Sequence, residues 1–289
     1  MKFTIVIPAR FGSTRLPGKP LALIGGKTML SRVVELSKAA IQGIEKASIL
    51  VATDDERIGN HCKEIGVEFV LTSPILATGT DRVAEAVRQM RDKPDFILNM
   101  QCDAPLTPPH FLRAMIDAFS CTTNDVVTPV TQLSWEQLDQ FRQDKLTTPF
   151  SGTSAIFDET SGKAFWFSKQ IIPAIRNEAM LRKKMVKSPI FRHIGLYGYS
   201  LKMLTIYPSL AESNYEKLEG LEQLRILENG YTIGCVPVDD KGLLNMSGID
   251  SPEDILRAEA LISKMSIPVG FQEAGEARAN LAAEHTLSM

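Results

Sequence analysis

The stretch Phe3-Thr-Ile-Val-Ile-Pro-Ala-Arg-Phe-Gly-Ser-Thr-Arg-Leu-Pro-Gly-Lys-Pro-Leu21 sets the architecture. Phe3 to Ile7 is a short, β-branched, continuous apolar run. Such a run reads as a strand buried on both faces, as in a parallel sheet. The loop behind it mixes Gly12, Ser13, Thr14 and Gly18 with three cations, Arg10, Arg15 and Lys19. Glycine and hydroxyl residues let backbone N–H groups approach an anion closely, and the cations neutralise it. A triphosphate requires both. The loop lacks the GxxxxGK[ST] string of a Walker phosphate loop. A solvated loop with scattered charge is the plainer alternative, but its place after the first parallel strand favours an anion site.

The same alternation continues down the chain. Leu30, Val33, Val34 and Ile41 fall at helical spacing, and Ser48 to Ala52 is another buried strand. Asp55 to Ile65 predicts a helix and Val67 to Leu71 a strand. Val83, Val87 and Met90 predict a helix, with Asp81 as its candidate cap. Phe96 to Met100 is a strand, His110 to Phe119 a helix, and Val126 to Val130 a strand. Strands alternating with helices predict a three-layer, doubly wound, mostly parallel α/β sheet over residues 1–130. Ligands of such sheets sit beyond the carboxyl ends of the strands. The loops after Ile7, Ala52 and Met100 are therefore the places for a site.

Residues 131–245 are less regular and predict a smaller mixed α+β portion. Thr153 to Phe157 and Ala164 to Phe167 read as strands around a turn at Thr160 to Gly162. Asn177 to Ser188 reads as a polar, basic surface loop, and Arg182 to Lys187 within it as either a lid or merely solvated chain. His193 to Tyr199 reads as one strand, Tyr215 to Glu228 as one helix, and Tyr231 to Val238 as a strand. Pro252 to Ser263 reads as a helix, with Ser251 as N-cap and Glu253 and Asp254 in its first turn. Residues 246–265 are expected to return to the first portion. Residues 266–289 read as an appendage.

Composition narrows the function classes. Of 289 residues, 44% are hydrophobic and 23% charged, which excludes intrinsic disorder. Lys plus Arg number 32 against 34 for Asp plus Glu, a net charge of -2, so no global basic excess points to nucleic acid. The 4 cysteines form no CxxC pair, which argues against a zinc ribbon or disulfide framework and fits reduced thiols in the cytoplasm. No apolar stretch is long enough to span a bilayer, and the start is too short for a signal-peptide core.

Further motifs carry chemistry. In Asn99-Met-Gln-Cys-Asp-Ala-Pro105, Asp103 lies just past a buried strand, placed either to hold Mg2+ against phosphate oxygens or to form a turn. Asp250, alone, reads as a partner of the following helix start. Taken with Asp103 and the cationic loop, it completes a magnesium shell of two carboxylates and substrate oxygens. Thr78-Gly-Thr-Asp-Arg82 suits either a base or ribose contact or ordinary helix capping. His193 reads as a core strand histidine. Glu216, Glu219, Glu222, Gln223 and Arg225 read as a solvated charged face.

These strings together resemble the CMP-Kdo synthetases, the 3-deoxy-manno-octulosonate cytidylyltransferases of the nucleotidyltransferase fold. IPARFGSTRLPGKPL, VATDDERI, TGTDRVAEA, NMQCDAP, RHIGLYGYS, LEGLEQLRIL and GIDSPEDI follow in the family's order from about Lys2 to about Leu261. The resemblance implies transfer of CMP from CTP to the anomeric hydroxyl of Kdo with release of pyrophosphate, for lipopolysaccharide or capsule synthesis. It implies that Arg10, Arg15 and Lys19 bind the phosphates, with Lys19, Arg15 and Asp103 at the reacting centre. Ala9, Thr78, Gly79, Arg82 and Gln101 would line the nucleotide side. Gln101, Lys169, His193, Tyr197, Glu222 and Gln223 would meet the acceptor, and Asp103 and Asp250 would hold Mg2+. It further implies a homodimer built through residues 131–245. The family's Gln-Gly-Asp-Glu-Pro is here altered at Cys102 and Ala104, its Phe-Ser-Arg ends in Lys169, and a usual Val-Lys pair is replaced by Thr153-Ser154. Lysine keeps the charge but loses the bidentate fork of arginine. These changes leave a second acidic acceptor (a modified Kdo, another sugar acid or a phosphonate) as an alternative, and a non-catalytic nucleotide binder as a third.

Overall fold

The computed structural model describes residues 1–12, 15–240 and 248–265. Ser13 and Thr14 of the cationic loop, residues 246–247 of the returning segment and the appendage at 266–289 lie outside the described residues.

The strands are β1 (Phe3–Ala9), β2 (Leu23–Ile24), β3 (Lys27–Thr28), β4 (Ala47–Thr53), β5 (Glu68–Leu71), β6 (Phe96–Asn99), β7 (Val126–Ser134), β8 (Thr153–Phe157), β9 (Ala164–Ser168), β10 (Lys187–His193), β11 (Tyr197–Ser200) and β12 (Ile233–Pro237). The helices are α1 (Met29–Ala40), α2 (Glu56–Glu64), α3 (Gly79–Gln89), α4 (Pro109–Phe119), α5 (Trp135–Thr147), α6 (Glu178–Lys184), α7 (Leu201–Ile206), α8 (Asn214–Glu219), α9 (Glu222–Glu228) and α10 (Pro252–Met265). The main sheet runs β5-β4-β1-β6-β11-β7-β10-β8-β9, with β12 beside β7. β5, β4, β1 and β6 are parallel, as their helical crossovers require. β11 enters antiparallel between β6 and β7, so the second half of the chain continues the same sheet.

Alternation along β1 assigns the layers. Ile5 and Ile7 face a core built with Leu30 and Val33 of α1, Ile58 of α2 and Leu112 of α4. Val6 faces the opposite core, with Val83 and Val87 of α3, Met203 of α7 and Leu224 of α9. A single strand buried on both faces is thus the axis of a three-layer molecule, as its unbroken apolar run predicts.

Several expectations are corrected by local physics. Thr78, not Asp81, is the N-cap of α3; Asp81 is its capping-box partner, accepting from the Thr78 N–H and hydroxyl. The segment 177–188 is not a loop. It forms α6 and the start of β10, and Arg142 and Arg182 grip Glu178 while Arg182 also pairs with Asp139. That pinning gives no support to a lid at 182–187. The expected strand 193–199 is two strands, because residues 194–196 leave the β10 ladder before β11 begins. The expected helix 215–228 is α8 and α9, broken at Gly220, whose φ of 64° makes it a left-handed C-cap. Helices α5 and α7 occupy stretches given no element from sequence.

Candidate active site

The cleft lies where the topology places it, at the carboxyl ends of β1 and β6, and has a volume of about 340 Å³. Arg10, Arg15, Lys19, Gln101, Asp103 and Asp250 line it, drawn from three separate segments. Lys19 sits in the single helical turn after Gly18, where Pro20 packs into the protein. Its Nζ donates to Asp103 Oδ2 and to Asp250 Oδ1, each at 2.9 Å. Arg15 Nη2 lies 3.1 Å from the same Asp250 oxygen. Burial alone would lower the Lys19 pKa, but the two carboxylates offset it and the net shift is upward.

Backbone contacts hold the two aspartates together across the sequence. The Ile249 N–H donates to the Asp103 carbonyl at 2.8 Å. Ser251 and Asp254 form the cap of α10, with Asp254 Oδ2 accepting from the N–H groups of Asp250 and Ser251. The capping role suggested for Asp250 therefore belongs to Asp254, and the Asp250 carboxylate is left to the cleft. For a metal, the test is the donor set. Two carboxylates converge on one cation, the Lys19 ammonium, and among the described residues no group of three or more His, Cys, Asp or Glu forms a cage. Few carboxylates with room for water and phosphate oxygens is what Mg2+ takes, so the residues fit it.

The other nucleotide-side residues are placed as follows. Thr78 and Gly79 line the cleft at the start of α3. Ala9 is buried, while its neighbours Pro8 and Arg10 form the wall. Arg82 reaches the wall, but its guanidinium is committed elsewhere, donating to Thr72 Oγ1 at 2.6 Å and Asp54 Oδ2 at 2.8 Å. It braces the cleft from behind.

Gln101 also borders two smaller clefts, of about 210 and 230 Å³. Its Nε2 donates to Asn99 Oδ1, Asn99 Nδ2 donates to Thr80 Oγ1, and the Thr80 hydroxyl donates to Glu222 Oε2. Tyr207 donates to the same Glu222 oxygen, and burial pushes the Glu222 pKa up. Tyr197 donates to Gln223 Oε1 at 2.8 Å. Gln223 Nε2 is buried with no hydrogen-bond partner, beside Tyr197 and Glu222. A buried amide donor left unmade is costly, so this one is a ready contact for a ligand oxygen. The segment read as a solvated charged face is thus partly interior: Gln223 is buried, and Glu216 is 4% exposed and pairs with Arg225 through two short contacts. Glu219 reaches β9, accepting from the Ser168 hydroxyl and the Lys169 N–H.

His193 is buried at the end of β10. Thr128 donates its only hydroxyl proton to the Leu196 carbonyl at 2.7 Å, so it accepts from His193 Nε2 at 2.8 Å. Burial, helped by the charge of Lys169, pulls the His193 pKa down to about 3. The ring is neutral and packs edge-on against Phe167 and tilted beside Tyr197. Thr80 lies in the string expected at the nucleotide side, whereas Asn99 and Tyr207 join this network without having been expected from sequence. A lone asparagine in the apolar run FILN was the available signal for Asn99.

Comparison with known proteins settles the family. The model of the cytidylyltransferase family matches residues 4–233. The chain belongs to the cytidylyltransferase family. Relatives named 3-deoxy-manno-octulosonate cytidylyltransferase include one from Maricaulis maris, 39% identical over 264 residues, covering 91% of this chain and 98% of that one. One from Vibrio parahaemolyticus is 36% identical over 265 residues, covering 91% and 99%. A solved structure of CMP:2-keto-3-deoxy-manno-octonic acid synthetase complexed with CTP superposes with a TM-score of 0.77 at 30% identity, covering 92% of this chain and all of that one. The resemblance read from the seven strings and the expected fold class both hold. Among the described residues no helix of this cytidylyltransferase is long and apolar enough to cross a membrane.

Proposed function

We propose that the protein transfers CMP from CTP to the anomeric hydroxyl of Kdo, forming CMP-Kdo and pyrophosphate. The observation that carries this is the convergence of Asp103 and Asp250 on Lys19 beside Arg15, at the carboxyl ends of the sheet. The hydroxyl attacks the α-phosphorus in line with departing pyrophosphate, so the chain need supply no nucleophile and works by positioning and charge. Arg10, Arg15 and Lys19 take the phosphates; Thr78 and Gly79 meet the nucleoside, above Ala9 and Arg82. Gln101 stands between the two substrates. His193, Tyr197, Glu222, Gln223 and Lys169 orient the acid, with the free Gln223 amide donating to it. Asp103 and Asp250 would hold Mg2+, which when bound neutralises phosphate charge and lowers the pKa of the acceptor hydroxyl.

In this reading residues 1–130 with 246–265 bind nucleotide, and residues 131–245 hold the acceptor and join two copies of the chain in the cytoplasm. The test is pyrophosphate release with CTP, Mg2+ and Kdo, with UTP and ATP as controls. Release only with CTP and Kdo is expected. CTP binding by calorimetry without turnover on Kdo would assign the acceptor to another acid, as the changes at Cys102, Ala104 and Lys169 allow.

A further inference from the structure

Of the string VATDDERI, residues 51–58, the site described above uses only Asp54, which holds Arg82. The next residue, Asp55, caps α2 and accepts from the backbone N–H of Arg57 at 2.9 Å. The same carboxylate takes the Arg57 guanidinium at two points, Nε at 2.9 Å and Nη2 at 2.7 Å. A two-point grip fixes the plane of the guanidinium as well as its position. That group lies over the Phe11 ring, its central carbon 3.3 Å from the ring centre. Phe11 stands at the base of the loop that carries Arg15 and Lys19. Its carbonyl accepts from the Gly18 N–H at 3.1 Å. The far edge of its ring lies close against Gly18, where a β-carbon would stand 3.1 Å from Cζ and 3.2 Å from Cε2. Gly18 is left-handed, with a φ of 68°, and starts the turn that presents Lys19. The ring thus links the Arg57 guanidinium to the backbone that carries Lys19. Among the described residues neither Phe11 nor Arg57 lines the cleft.

The loop needs such a hold. Arg10, Arg15 and Lys19 share one sign of charge at one cleft, and the Arg15 side chain is 70% exposed. Like charges on one loop push it open unless its backbone is fixed. A loop already fixed when a triphosphate arrives loses less freedom on binding it. We propose that Arg57, seated by Asp55, is a positioning residue that holds the cationic loop through the Phe11 ring and so sets affinity for the triphosphate. This rests on the function proposed above, in which the loop takes the CTP phosphates. The two adjacent aspartates then support opposite sides of the nucleotide cleft, Asp54 through Arg82 and Asp55 through Arg57.

The experiment measures the Kd for CTP by calorimetry, with Mg2+, in wild type, Arg57→Ala, Phe11→Leu and the double variant. Arg57→Ala keeps the backbone N–H that Asp55 caps, so α2 is retained. It is expected to raise the Kd for CTP about fivefold, the effect of losing one exposed cation–ring contact. Turnover at saturating CTP and Kdo is expected to stay within about twofold, since the loop is in place once CTP is bound. The melting temperature is expected to stay within about 2 °C. In the Phe11→Leu background, Arg57→Ala is expected to add no further loss, because its effect runs through the ring. A CTP Kd within about 1.5-fold of wild type in Arg57→Ala overturns the proposal. Full additivity in the double variant does so too, since the effect would then belong to the charge left on Asp55. A matching fall in turnover or in melting temperature would make Arg57 a general support of the fold and likewise overturns it. Wild-type protein that does not bind CTP instead overturns the reading on which the proposal rests.

Discussion

Replacing Asp103 by Asn separates the catalytic from the structural work of the cleft. The carboxylate accepts one charge-assisted hydrogen bond from Lys19 at 2.9 Å, and its side chain is 36% exposed. A hydrogen bond to a charged group contributes ~1.5–3 kcal/mol, and exposure at this level screens it to about 1 kcal/mol. Lys19 keeps Asp250, so the melting temperature is expected to fall by only ~2–4 °C. Turnover responds differently. On the function proposed above, the variant removes one of two converging carboxylates and loosens the ammonium that takes the phosphates, and losing one preorganised charge contact of this kind costs ~10²–10³ in kcat. The assay pairs pyrophosphate release at saturating CTP and Kdo with a thermal melt of the same preparation. A kcat within about tenfold of wild type would remove Asp103 from the reacting centre. A melting loss of ~10 °C or more would show that Asp103 builds the fold rather than the chemistry.

Other expected outcomes follow from geometry outside the cleft. Gly198→Ala on β11 would put a methyl carbon 2.1 Å from the Phe96 ring, so overpacking should cost ~1–3 kcal/mol or more, visible as a lower denaturation midpoint. Glu216→Gln breaks an ion pair whose side chains are 5% and 14% exposed; a loss of roughly 3 kcal/mol is expected, with acceptor KM rising because the pair joins α8 to α9. An unchanged urea midpoint in that variant would show that the pair is not structural. His193 has a depressed pKa, so the unfolded chain binds its proton first. Its contribution is full above about pH 6.5 and is lost at about 1.4 kcal/mol per unit as pH falls toward about 3. A His193→Asn variant with the same acid limb in its urea midpoints would contradict this.

The first half of the fold was legible because its strands are buried on both faces, and continuous apolar runs such as FTIVI and FILN have few other readings. Caps were legible as residue types but not as assignments. Asp81 and Asp250 each sit beside a better cap, and spacing alone does not say which oxygen turns inward. The second half resisted for a physical reason. In Tyr215 to Glu228 the polar residues outnumber the apolar ones, yet Gly220 folds the segment back so that Gln223 and Glu216 are buried. Segment 177–188 looked like a loop because its ion-pair partners, Asp139 and Arg142, lie on α5, for which no element was expected. Helix α5 itself opens with a Ser134–Gln137 capping box, a signal present in the sequence.

The pairing of Asp103 with Asp250 has a consequence for how the protein is made. The two residues are 147 positions apart, and they meet through Ile249 and a small apolar seal of Ile24, Met29, Ile249 and Ala258. Most of the sheet is complete by β12, so a chain still emerging from the ribosome has its strands before it has its second carboxylate. On the function proposed above, the metal-holding pair is therefore incomplete until the segment that carries Asp250 has been made. A product cut short before Gly248 would carry Lys19 and Asp103 but no Asp250, and on the proposed function would lack its second carboxylate.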